Sequence, residues 1–398
     1  MKDYIDIWFN DACILNDEIW FASGINNGLY RAGIYGNDLT CVGIFQKEDS
    51  IGKHLYSSMG YYDGCFCFIP AWAEQGIAFY SIGNGEFAYN GLFQKDLLPK
   101  HNQYDFLFWG SIQLQSILYA FGYAYPLILS VDIKTREVKK FDLKMTFCEY
   151  SIKCSKYFFG KDICEFDNKL FAVVDENSVI FEYDIKKNIG KFWNIGIKET
   201  VFKTIQCIGD IFFLSDTDGN IFKWKYGEEK VGIEYCSDSS ESEYSFSMLL
   251  EDTLVLFPSK NKKIFFYDWV KQCVKKMRLE GQEKSDWWNG DWGVRWAKKN
   301  GQDLVVFSGY TSHIYQVGME SRCLRNFRIE ESGTSVITNE FYIRNRERVK
   351  GLIESQTNMK DSSFESFLYY IITHDALKCD RQTTAYGNKI YKIMEDLD

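Results

Sequence analysis

The residues best suited to chemistry lie together in one stretch, Asp286-Trp287-Trp288-Asn289-Gly290-Asp291-Trp292-Gly293-Val294-Arg295-Trp296, which holds four of the chain's 11 tryptophans. Flat indole faces beside carboxylates, an amide and a guanidinium offer apolar area next to hydrogen-bond partners, which sugar rings and peptide anchors need. Trp287, Trp288, Asp291, Trp292, Arg295 and Trp296 are therefore the candidate ligand-binding residues. The competing use of the same rings is packing, as wedges that lock the last structural repeat against the first. Tyr61-Tyr62-Asp63 offers Tyr62 and Asp63 as a lesser candidate of the same composition, and Tyr104-Asp105-Phe106 is another, both read as loops between repeats.

Other constellations point to turns and packing. Asp216-Thr217-Asp218-Gly219-Asn220 opens like a calcium loop, but that loop needs Gly at its sixth place and an acid at its twelfth. Those places hold Ile221 and Gly227, so a tight turn on Asp218-Gly219 accounts for the residues. Cys65-Phe66-Cys67 puts two sulfurs on one strand face with no second knuckle, which is core packing and not a metal site. His54, His101, His313 and His374 stand far apart and form no H-x-E or H-E-x-x-H pattern. Nucleophile-elbow, phosphate-loop and dinucleotide-binding signatures are missing. Ile82-Gly83-Asn84-Gly85-Glu86 is too short for one and runs into a strand-like segment. No catalytic residue, metal ligand or cofactor is assigned.

The elements that must carry the tryptophans come from a repeat. A short apolar strand is followed by a turn of Asp, Asn or Gly, then a very apolar strand, a second polar turn, and a strand often closed by Asp. The clearest copy runs from Ile163 through Leu170–Val174 and Val179–Asp184, with Gly190–Ile195 as a fourth strand. Trp20, Phe66, Leu118, Phe171, Phe212, Val255 and Val305 mark seven second strands, separated by 46, 52, 53, 41, 43 and 50 residues. A period near 40–50 with about four strands per unit is that of a β-propeller blade. The fold class is therefore all-β, a seven-bladed propeller over residues 1–330, with six or eight blades also compatible with the spacing. The strand Ile5–Phe9 is spare in this count and is expected to pair with the last blade and help close the ring. Residues 331–398 read as a helical appendage. Ser362 and Glu365 have capping-box spacing, and Phe364, Phe367, Leu368 and Ile371 form an apolar stripe.

Composition fits this fold. Aromatic residues make up 17% of the 398 and there are only 4 prolines, as expected where rigid rings fill gaps between blades and inner strands need their N–H groups. The net charge of −9 and the lack of a basic stripe argue against a nucleic-acid partner. No apolar run reaches 18 residues, and the N-terminus lacks a signal-peptide core, so neither membrane insertion nor export is expected. Cys13, Cys65, Cys67, Cys164 and Cys207 lie in strand-like runs, and the 12 cysteines are expected to be reduced in a cytoplasm.

The repeats resemble the broad class of kelch-type, PQQ-like and WD40-like propeller repeats. Ile180-Phe-Glu-Tyr-Asp184-Ile-Lys-Lys187 and Leu129-Ser-Val-Asp132-Ile-Lys-Thr135 are similar to the third strand and following turn of PQQ-like repeats, while the kelch Gly-Gly doublet and the WD40 Gly-His and Trp-Asp pairs are missing. Tyr386-Gly387-Asn-Lys-Ile390-Tyr391-Lys-Ile-Met394 is similar to the closing helix of some bacterial cell-surface glycosyl- and glycerophosphotransferases. A repeat fold with no nucleophile, metal or cofactor signature points to a non-catalytic interaction or scaffolding module that binds a protein or glycan through propeller-face loops. The alternative is a propeller-type carbohydrate-active enzyme (hydrolase, lyase or cyclase) or an accessory protein of cell-surface polysaccharide synthesis. Convergence of acids or histidines in the channel would mark the enzyme.

The tail stripe gives a first test. Burying side chains of this size contributes roughly 1.5–3 kcal/mol each. Truncation after residue 360 is expected to lower the melting temperature, and an unchanged one would assign the stripe to a partner instead.

Overall fold

The computed structural model describes residues 4–330 except 8, 25–26, 36–38, 46–54, 72–75, 91–106, 155–156, 196–199, 238–243, 259–262, 280–292, 309–312, 319–320 and 327. The expected helical appendage at 331–398 lies outside the described residues. Seven four-stranded antiparallel sheets, each built from consecutive strands, form a ring: the chain is a seven-bladed β-propeller. The first strand of every blade is the inner one. These inner strands are Ala12–Leu15, Tyr56–Tyr62, Phe108–Leu114, Phe159–Phe166, Phe202–Ile208, Tyr244–Leu250 and Val294–Asn300. One short helix, Lys144–Glu149, leads from blade 3 towards blade 4 and buries Phe147.

Each inner strand turns into the second through a two-residue hairpin, as Asp167-Asn168 does between Phe166 and Lys169. Right-twisted strands need positive φ at the first hairpin position, or at both. Asn16-Asp17, Asp63-Gly64 and Asp167-Asn168 have it at both, and Gly209, Glu251 and Gly301 at the first. This explains the recurring Asp, Asn and Gly. The Asp that closes several third strands caps the next turn. Asp132, Asp184 and Asp268 each accept backbone N–H bonds two and three residues on. Lys187 and Lys271 bond the last two carboxylates and hold them below the usual range.

The core is divided. Seven apolar clusters are found among the described residues, and each joins two neighbouring blades. Rings fill them edge to face, for example Phe171 against Phe212 at 4.6 Å between blades 4 and 5. The aromatic excess is thus spent on wedge-shaped gaps that widen from the axis outward.

Closure differs from the expected strand exchange. Blade 7 supplies all four of its own strands, ending in Ser321–Asn326, so no place in it is left for the N-terminal segment. The first strand, Tyr4–Asp6, pairs instead with Arg328–Glu330, which follows blade 7. Ile7 and Phe9 then enter the cluster between blades 1 and 7. Phe9 stacks on Phe307 of blade 7 at 4.0 Å and on Phe21 of blade 1 at 4.5 Å. Trp296 meets Phe9 edge-on at 5.8 Å and donates its indole N–H to the Ala12 carbonyl at 3.1 Å.

Truncating a fully buried wedge of this size removes both transfer energy and packing. Trp296→Ala is expected to cost about 3–5 kcal/mol. Denaturant melts of the variant, compared with a change of the exposed Met145 to Ala, check it.

Candidate functional site

Antiparallel order fixes what each end of the propeller carries. Inner strands start at one end, here the entry face, and finish at the hairpins of the other. The second-to-third connections and all blade-to-blade connections therefore return to the entry face. Gly76 and Asp175–Ser178 belong there, as does the helix Lys144–Glu149, and the strands Cys273–Arg278 and Val294–Asn300 end and begin there. Among the described residues, the hairpin face carries only short turns.

Six inner strands break register close to the entry face. The breaks fall between Tyr56 and Ser58, Phe108 and Gly110, Phe159 and Ile163, Phe202 and Thr204, Tyr244 and Phe246, and Val294 and Trp296. A bulge re-aims the extra residue and recurs beside functional sites. Ser57, Trp109, Lys203, Ser245 and Arg295 are those extra residues, and blade 4 inserts Gly160-Lys161-Asp162. Together with Asn10, one residue per blade stands eight places before the start of its second strand, as Lys161 does before Lys169. This girdle around the channel mouth holds three cations and no acid.

The longer bulge of blade 4 reaches across the ring. Lys161 donates from Nζ to the Arg295 carbonyl of blade 7 at 2.5 Å and lies 4.1 Å from the centre of the Phe246 ring of blade 6. Asp162 accepts the Ser247 N–H of blade 6 at 2.8 Å and also the Ser247 hydroxyl. Arg295 donates from Nη1 to Asn10 Oδ1 at 3.1 Å, which ties blade 7 to the segment entering blade 1. Asp11 accepts the Met59 N–H of blade 2 at 2.9 Å. Gly110 makes room for the insertion: a Cβ there would collide with the Lys161 carbonyl.

Burial sets the charges. It pulls the Lys161 ammonium down to about 8, helped by Arg295 and Lys298 and opposed by Asp11 and Asp162. It pulls Arg295 down to about 9. It pushes Asp162 up to about 7, against the hydrogen bonds from Ser247 and the charge of Lys161. The group can thus exchange a proton near neutrality.

Of the residues singled out in the sequence, Trp287, Trp288, Asp291 and Trp292 lie outside the described residues, as do Tyr104-Asp105-Phe106. Arg295 and Trp296 are adjacent on one strand and do different work, the first in the girdle and the second in the closing wedge. Tyr62 and Asp63 do not join them. They form the end and the turn of the blade 2 hairpin, on the opposite face, and so are not in a loop between blades. Tyr61, beside them, accepts the Gly64 N–H at 3.1 Å through its hydroxyl. Asp216 bonds the backbone of Asp218 and Asn220, which makes its segment the turn expected. Sequence reasoning passed over Lys161, Asp162, Ser57 and Lys203. Aligning the repeats on the residue eight before each second strand would have found the first, third and fourth.

No protein-family model matches the chain, and no curated protein matches its sequence. Among solved structures, the computationally designed Ika8 protein superposes with a TM-score of 0.51 at 11% identity, over 81% of this chain and 86% of that one. The extracellular domain of BT4673 from B. thetaiotaomicron, described as a one component system, gives 0.51 at 9% identity over 78% of this chain. This chain spans only 39% of that domain's length. At such identities the likeness is one of propeller fold. Kelch or WD40 type and the glycosyltransferase-like tail receive no support from it.

The titration of Asp162 is testable. Its pKa is raised in the fold, so the stability it contributes is present below the ordinary carboxylate range and is lost as pH rises through about 7. Asp162→Asn is expected to gain on the wild type by on the order of 2–4 kcal/mol between pH 4 and pH 8. Urea melts at the two pH values check it, and a pH-independent difference would contradict it.

Proposed function

We infer that the protein is an interaction or scaffolding module without catalytic activity, which binds a protein or glycan through the loops of its entry face. The observation that carries this reading is how the channel spends its polar groups. Asp11 and Asp162, the two carboxylates whose charges act on Lys161, bond backbone N–H groups of the inner strands of blade 2 and blade 6. They serve the ring. An enzyme of the hydrolase, lyase or cyclase kind would need such acids directed at a substrate. The unequal ends support the same reading, because the long connections converge on one face. The propeller fold suits such a module, although fold alone does not decide activity. A cytoplasmic location belongs to this proposal and is supported by the free thiols of the ten cysteines whose side chains are described.

Two outcomes are expected. Affinity capture with the full chain should lose its partner when entry-face residues such as Trp109 and Lys203 are changed to Ala, and keep it when Tyr62 or Asp63 on the hairpin face is changed. The reverse pattern would overturn the assignment of the face. Mass spectrometry without reductant should find free thiols at Cys164 and at Cys207, whose Sγ lies 3.2 Å from the Glu165 carbonyl on the next inner strand. A native disulfide there would contradict the cytoplasmic reading.

A further inference from the structure

The wedge between blades 4 and 5 holds two thiols. Cys164 lies on the inner strand of blade 4 and Cys207 on that of blade 5, and Cα atoms of the two strands come within 8 Å of each other. Cys164 stands directly opposite Phe171 in its blade, and Cys207 directly opposite Phe212. Directly opposed residues of an antiparallel pair share a face of the sheet. Phe171 and Phe212 meet across the wedge, so both cysteines face it too, from opposite sides. The apolar cluster there accordingly includes Cys164, with Cys207 packed against it.

The two thiols differ in access. Cys164 is only 4% exposed. Burial first, and the Cys207 thiol second, push its pKa well above the ordinary thiol value. It stays protonated and out of reach of solutes. Cys207 is half-buried and adjoins Ile208, which is 43% exposed where the strand meets its hairpin. A small solute can therefore reach it from the hairpin face. Its S–H donates to the Glu165 carbonyl at 3.2 Å, and Glu165 is the residue next to Cys164.

We propose that Cys164 and Cys207 form a modification site for hydroperoxides, which oxidise Cys207 and let Cys164 close a disulfide between the inner strands of blades 4 and 5. This rests on the reduced resting thiols of the cytoplasmic reading. In the first step the Cys207 sulfur attacks one peroxide oxygen and the O–O bond breaks. The leaving hydroxide takes the thiol proton as water, and the sulfur is left as a sulfenic acid. In the second step the Cys164 sulfur attacks the Cys207 sulfur, the S–S bond forms and the S–O bond breaks. The second hydroxide leaves with the Cys164 proton, again as water. Two thiols and one hydrogen peroxide thus give one disulfide and two waters. Rotation of the Cys207 side chain exchanges the Glu165 carbonyl for the Cys164 sulfur. The bond closes two residues from Asp162, whose carboxylate holds Ser247 of blade 6, so oxidation stiffens the ring beside its bridge.

The test treats the reduced full chain with a small excess of hydrogen peroxide, blocks the remaining thiols by alkylation and maps the peptides by mass spectrometry. A Cys164–Cys207 disulfide absent before treatment is expected to appear and to vanish on addition of dithiothreitol. It should raise the melting temperature by about 5 °C. Cys207→Ser is expected to lose the cross-link and the shift together. Cys164→Ser should leave Cys207 as a sulfenic acid that dimedone traps. Cys164 is a core residue, so its variant counts only if it melts near the wild type; Cys207 is half-buried, and its variant keeps the test decisive. The exposed Cys148 and Cys273 monitor indiscriminate oxidation. Oxidation of Cys148 or Cys273 with no Cys164–Cys207 bond, or an equal peroxide-induced shift in Cys207→Ser, would overturn this site and leave the cytoplasmic reading standing. A Cys164–Cys207 bond already present before peroxide would overturn both.

Discussion

A ring of seven blades has one seam that no chain connection crosses, between blade 1 and blade 7, and aromatic packing closes it. Every other blade is tied to the next by covalent chain. Here Phe9 sits between Phe21 and Phe307, and Trp296 holds the Ala12 carbonyl. The pairing of Tyr4–Asp6 with Arg328–Glu330 joins the two chain segments that flank the ring. Because each wedge of core is shared by two neighbours, an opened seam would expose the inner faces of both end blades. The geometry of the other six wedges depends on this one.

The channel carries a second constraint. Narrowing a ring of inner strands leaves polar residues facing one another with little water, and buried charges are costly unless paired or hydrogen-bonded. The chain meets this with a longer bulge in blade 4, which sends Lys161 to blade 7 and Asp162 to blade 6. The bonds cross the ring and do not follow it, so they brace the circle against flattening. Gly110 is needed beside the insertion because the backbones of blades 3 and 4 approach too closely for a Cβ. The same device concentrates positive charge at one end, on the face that also receives the long connections.

Much of the fold was legible in residue order. Blade number, the four-strand unit and the two-residue hairpins follow from local pattern: apolar runs such as Leu170–Val174, turn residues such as Asp167-Asn168, and a third-strand Asp such as Asp184. Strand direction and turn chemistry act over a few residues, so one sequence suffices to read them. The site was much less legible. Arg295 and Trp296 were picked out together by composition, yet side chains on adjacent strand positions point to opposite sides, so one joined the girdle and the other the wedge. Tyr62 and Asp63 have the same composition as an inter-blade loop, and only their place in a hairpin puts them on the other face.

By itself the sequence determined the repeat, its period, its turns and the large share of aromatic side chains, because each depends on neighbours along the chain. The tertiary structure decided which residues meet across the ring. Lys161 and Arg295 are 134 positions apart, and no local signal marks them as partners. Their contact exists because seven wedges of a particular angle close a circle, and that angle is set by packing between blades.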